Sequence, residues 1–134
     1  MTEDQIAVAQ KCLSAAENDS MNFPDIVGAL IAAGFESYAI DYRRATATYY
    51  LPDGDSIMLD SHRVDGDVSP HFDAASLQAA IREAQTQAPG YSYAGFSRKA
   101  VAAGIAGYIV SFIGWRAVYF GRTGECHVEH FAGD

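Results

Sequence analysis

The feature that most constrains this chain is an internal repeat. Displacing the sequence by 70 positions aligns residues 23–60 with 93–130 without a gap. Seven of the 38 pairs are identical: Ala32/Ala102, Ala33/Ala103, Gly34/Gly104, Tyr38/Tyr108, Ala47/Ala117, Tyr49/Tyr119 and Gly54/Gly124. The similar pairs carry more weight, among them Phe23/Tyr93, Ile31/Val101, Phe35/Ile105, Ile40/Val110, Tyr42/Phe112, Tyr50/Phe120 and Asp55/Glu125. They fall where a helix, a strand or a turn needs its apolar or turn-forming residue. One unit of this size cannot bury its own hydrophobic face, so two copies are expected to share a core.

Each copy reads the same way. Pro24 suits a first helical turn, where its missing N–H costs nothing. Ile26, Leu30 and Ala33 share a helical face, as do Phe96, Ala100 and Ala103. Gly34 and Gly104 follow the last helical residue, where a left-handed conformation is cheap only for glycine. The period then becomes two: Tyr38, Ile40 and Tyr42 alternate with Ser37, Ala39 and Asp41, and Tyr108, Val110 and Phe112 repeat the pattern. A second strand is predicted over 46–51 and 116–121. A third follows over 56–60 and 126–130, beyond the turns at 52–55 and 122–125. Another helix precedes each copy, one opened by the capping box of Thr2 and Gln5, the other capped by Asp73. The expected fold is α+β: duplicated helix-helix-strand-strand-strand units in one pseudo-two-fold domain over 1–134. Its halves are approximately 1–60 and 73–131, with a linker at 61–72. Whether the six strands form one sheet or two stays open.

Charge narrows the partners. The net charge is −8 and the pI near 4.7, and the only adjacent basic pairs are Arg43-Arg44 and Arg98-Lys99. Nucleic acid and anionic membrane surfaces are therefore not expected partners, since both need clustered cations. Ala100 to Trp115 carries no charge over sixteen residues but holds three glycines, and the repeat divides it between a helix end and a buried strand. That run is short of the roughly 18–20 residues a membrane span requires. The acidic amino terminus lacks the basic and apolar segments of a signal peptide, and a cytoplasmic location is expected. Cys12 and Cys126 lie at no metal or redox spacing and are expected as free thiols, Cys126 as a small core residue.

Several segments of the chain also resemble a known family. Gly104-Ile105-Ala106-Gly107-Tyr108-Ile109-Val110, Tyr119-Phe120-Gly121-Arg122-Thr123-Gly124-Glu125 and His127-Val128-Glu129-His130-Phe131 are similar to the YbcV-like domain-of-unknown-function family. Phe35-Glu36-Ser37-Tyr38 and Thr48-Tyr49-Tyr50-Leu51-Pro52-Asp53-Gly54 fit it as well. Some members carry the label phage envelope protein. The resemblance implies a small bacterial α+β domain and supplies no activity, cofactor or catalytic residue.

Chemistry concentrates in three places. On a strand, His127 and Glu129 share one face, an imidazole and a carboxylate usable as an acid–base pair. Their repeat equivalents are Ile57 and Leu59, so that face has become polar in one half only. Cys126, next to His127, points to the other face and cannot pair with it. Arg122, in the turn at 121–124, offers a guanidinium to an anion, although any hairpin turn uses the same residues. Tyr49 and Tyr119 belong to a set of strand aromatics that, with helices on one side of a sheet, leaves some rings for a ligand or a partner subunit. His62, His71, His130 and Asp60 sit at no recognised ligand spacing, so no metal is expected, and no nucleotide loop implies a cofactor. The reading that follows is a non-catalytic binding or self-associating module whose partner is a homodimer mate or a small ligand. The alternative is a small enzyme at the junction of the halves, with His127 and Glu129 as acid and base and Arg122 orienting an anionic substrate.

Overall fold

Local signals set the element boundaries. The computed structural model describes residues 1–131. Thr2 caps α1 (Glu3–Glu17) through its bond from the Gln5 N–H, and the Gln5 side chain returns the bond to the Thr2 N–H, closing the box. Asn22 caps α2 (Phe23–Ala32), Asp73 caps α3 (Ala74–Thr86) and Ser92 caps α4 (Tyr93–Ala102). Gly34 and Gly104 leave α2 and α4 at φ of 100° and 90°, the left-handed geometry expected of them. At Gly104 a side chain is excluded twice over, because a Cβ would sit 2.1 Å from the carbonyl oxygen of His71.

The strands follow each helix pair in the same order: β1 (Ser37–Asp41), β2 (Thr46–Tyr50) and β3 (Ser56–Asp60), then β4 (Ile105–Ser111), β5 (Arg116–Gly121) and β6 (Cys126–His130). They form one six-stranded sheet, ordered β3-β2-β1-β4-β5-β6, with every neighbouring pair antiparallel. The two units thus meet at a β1–β4 seam in mid-sheet, where Ala39 faces Ile109 and Tyr38 faces Val110. The strand after Gly104 starts at Ile105, earlier than the alternation from Tyr108 suggests, and a register irregularity between Ile105 and Gly107 absorbs the extra length.

All four helices cover one face of the sheet. The residues beneath them are Tyr38, Ile40, Ala47, Tyr49, Tyr108, Val110, Ala117 and Tyr119, all buried. Leu30 and Leu77, both fully buried, pack in from α2 and α3, while Ala9 and Ala100 fill the smaller gaps from α1 and α4. The other face is open and half apolar. A row of Met58, Thr48, Ala39, Ile109, Val118 and Val128 crosses all six strands there, with Met58 56% and Ile109 45% exposed. Cys126 lies on this open face and is exposed, which corrects the expectation of a core cysteine. Its odd position on an edge strand places it opposite to His127, away from the helices. Cys12 is the buried thiol, and both are free. Among the described residues, no helix is long and apolar enough to cross a membrane.

Candidate functional site: a tyrosine-floored cleft

Four tyrosines form a continuous row across the central strands, on the face beneath the helices. Tyr49 and Tyr38 have ring centroids 5.6 Å apart, Tyr38 and Tyr108 6.5 Å, and Tyr108 and Tyr119 5.0 Å. The repeat explains the row: Tyr38/Tyr108 and Tyr49/Tyr119 are equivalent positions, paired directly across β1–β2 and β4–β5. Aromatic cross-strand pairs of this kind stabilise a sheet. Their hydroxyls are the unusual part. Tyr108 shares a hydrogen bond of 2.8 Å with the hydroxyl of Tyr93 from α4. Tyr38, Tyr49 and Tyr119 are 7%, 3% and 7% exposed, and among the described residues their hydroxyls meet no protein partner. Among the described residues, no unpartnered polar side-chain atom is sealed off from solvent space, so these three hydroxyls open into a cavity.

That cavity is a cleft of about 610 Å³ between the sheet and the helices. Native interiors are close-packed and rarely contain voids larger than a water molecule. Its walls come from the end of α1, the start of α2, the end of α3 and the start of α4. The helix packing accounts for its mouth: α1 packs against α4, whereas α2 and α3, the pair related to them by the repeat, do not pack to the same extent. The lip on that side carries Asp19, Asp25, Glu129, Phe23, Tyr91 and Phe131. Phe23 turns outward, 39% exposed, and meets Phe131 edge to face at 5.3 Å. Asp19, itself at φ of 58°, ties the two helix hairpins together by accepting a bond from the Tyr93 N–H at 2.8 Å.

Burial dominates the electrostatics. It pushes the phenols of Tyr38, Tyr42 and Tyr108 well above their ordinary range, and that of Tyr49 and Tyr119 strongly upward. Tyr91, nearer the mouth, is pushed up to about 12. Glu129 adds to the effect on Tyr119, and Asp19 to that on Tyr91, because a nearby anion opposes phenolate formation. All these phenols are neutral donors and acceptors at ordinary pH.

The residues singled out from sequence are not gathered in one place. Tyr49 and Tyr119 both line the cleft, facing the helices and not the open side of the sheet. Glu129 reaches its lip, and His127 stands beside it with Nε2 3.0 Å from Glu129 Oε2, so an N–H on that nitrogen donates to the carboxylate. Arg122 does not join them. Its Nη1 donates to the carbonyl of Val68 at 3.1 Å, holding the β5–β6 turn to the segment between the halves. His130 is on the open face and His62 is beside Glu17 of α1. Among the described residues, no group of three or more His, Cys, Asp or Glu side chains is arranged to hold a metal ion. Asp19 was not singled out from the sequence, and Tyr93 only as the repeat partner of Phe23. The signal for Tyr93 was present, since it replaces Phe23 of the first copy, but a hydroxyl gained at a helix start has no meaning until its partner is known.

Among curated proteins, none matches the chain. A family model described as "Protein of unknown function (DUF1398)" matches residues 10–130, nearly the whole chain and both halves of the repeat, and the chain belongs to that family.

Proposed function

We propose that this protein is a non-catalytic binding module that holds a small, largely apolar molecule in the tyrosine-floored cleft. In keeping with its YbcV-like segments, we place it in a bacterial cytoplasm. The observation that carries the reading is a cleft of about 610 Å³ floored by three buried hydroxyls with no protein partner among the described residues. Its size falls within the range of roughly 300–1,000 Å³ typical of ligand sites, and its apolar walls with few convergent polar groups match their usual make-up. An unliganded core with this much unfilled volume loses packing that a ligand restores.

The test is titration with a neutral environment-sensitive fluorophore, N-phenyl-1-naphthylamine, against the protein and its Ala117→Phe variant. Ala117 lies on the cleft floor between Val110 and Glu129, so the added ring fills the space. Fluorescence should rise with the parent and fail to rise with a folded variant. Equal enhancement by both would place binding elsewhere.

Self-association and the alternative, an enzyme, each stand on their own observation. Self-association would use the open sheet face, where Met58, Ile109 and Val128 are exposed, and a strictly monomeric mass in native mass spectrometry removes it. An acid–base role for His127 and Glu129 rests on their 3.0 Å contact beside the lip. It fails if His127→Ala leaves turnover of every cleft ligand at the parent level.

A further inference from the structure

The structure assigns the cleft to an organic cation: a protonated amine carried on an apolar body, with the ammonium group held between the carboxylates of the lip and the hydroxyls of the floor. This rests on the cleft being a ligand site and goes further by naming the ligand's charge. Among the described residues, three carboxylates line the cleft, Asp19, Asp25 and Glu129, and no lysine or arginine does. An anionic ligand would enter that space with nothing to compensate its charge, at a desolvation cost no contact repays. A protonated amine meets three compensating features. The carboxylates supply counter-charge, the unpartnered oxygens of Tyr38, Tyr49 and Tyr119 accept its N–H bonds, and the tyrosine rings attract a cation through their π faces.

The field inside the cleft already has the required sign. Glu129 opposes ionisation of Tyr119 and Asp19 that of Tyr91, so the negative potential of the lip reaches the walls. The net charge of −8 adds long-range attraction for cations at low salt. The repeat locates the specificity. Glu129 stands where the first half has Leu59, and no other strand position exchanges an apolar side chain for a carboxylate on the helix-covered face. Glu129 is therefore the strand residue that turns the cleft toward a cation.

The experiment compares three probes of one shape, 4-phenylbutylammonium, 4-phenylbutanol and 4-phenylbutyrate, by isothermal titration calorimetry. The ammonium should bind about tenfold more tightly than the alcohol, and the carboxylate most weakly. Added salt should weaken the ammonium and leave the alcohol unchanged. Glu129→Gln, which keeps size and hydrogen bonding, should remove most of the ammonium's advantage without altering the alcohol's affinity. Equal affinity of alcohol and ammonium, or an ammonium advantage that survives Glu129→Gln, overturns the assignment while leaving a ligand cleft in place. Failure of all three probes to bind overturns both the assignment and the cleft reading.

Discussion

Among the described residues, two clefts share some walls related by the repeat, and they differ in size. The first includes Tyr93, Ala94, Ile40 and Ser61, and the second includes their equivalents Phe23, Pro24, Val110 and Phe131 together with Tyr93 and Ile40 themselves. The first encloses about 100 Å³ and the second about 610 Å³. Two differences produce this. Tyr93 stays inside because its hydroxyl has a partner in Tyr108, while Phe23 has no such anchor and swings out to Phe131. The segment after β3 then folds over the first cleft, with the His62 N–H donating to Glu17 and Arg63 bonding the carbonyl of Arg43. The first cleft is thereby largely filled, and the second is left for a ligand.

The comparison can be broken hardest at the helix ends. Gly34 and Gly104 share a positive φ, but a Cβ at Gly34 meets only the flexible end of Gln5 at 3.3 Å, whereas one at Gly104 collides with the backbone of His71. Gly34→Ala should cost about 1–2 kcal/mol from backbone strain alone. Gly104→Ala adds overpacking and should cost on the order of 3 kcal/mol or more. Urea denaturation of both variants measures this, and equal losses would mean that the His71–Phe72 segment is not packed as described.

Alkaline pH tests the shared floor. The folded phenols have raised pKa values, so the native state keeps protons that the unfolded chain releases. Stability is then fully present below the unfolded value of about 10 and is lost as pH rises toward the folded values. Denaturation at a series of pH values should give a plateau followed by a fall, with Tyr38→Phe and Tyr108→Phe each reducing the slope. In phenolate absorbance, Tyr91 should ionise before Tyr119.

The smallest effect sharpens the asymmetry itself. Tyr93→Phe gives the second half the residue of the first and removes the bond to Tyr108, at a cost of about 1 kcal/mol in thermal unfolding. The freed ring should also admit the neutral fluorophore to the first cleft, raising the binding stoichiometry above that of the parent. Unchanged stability and stoichiometry would show that Tyr93 does not keep the first cleft closed.

Much of the architecture was legible because its signals are local. The capping box at Thr2 and Gln5, the left-handed glycines and both third strands, Ser56–Asp60 and Cys126–His130, follow from spacing and turn chemistry. The single sheet was not legible, since the β1–β4 pairing has no sequence signal apart from the strands themselves. The site was half legible. Alternation put Tyr49 and Tyr119 on one face and His127 with Glu129, but which face the helices cover, and that they cover it incompletely, depends on packing between α2 and α3. Arg122 was misleading for the same reason: the Val68 carbonyl that occupies it lies 54 positions away.

The β1–β4 seam also has a consequence for how the molecule assembles in time. Hairpin partners such as Asp41 and Thr46 lie close in sequence, whereas Tyr38 and Val110, paired at the seam, lie 72 positions apart. Closing so long a loop is entropically expensive and slow compared with forming a hairpin. The hairpins of each unit are therefore expected to form early and the seam to close last. The cleft borrows walls from both units, so it comes into existence with that final event. A cleft-bound fluorophore added during refolding should report only the slowest phase. A signal in the fast phase would mean that the seam closes before the units are complete.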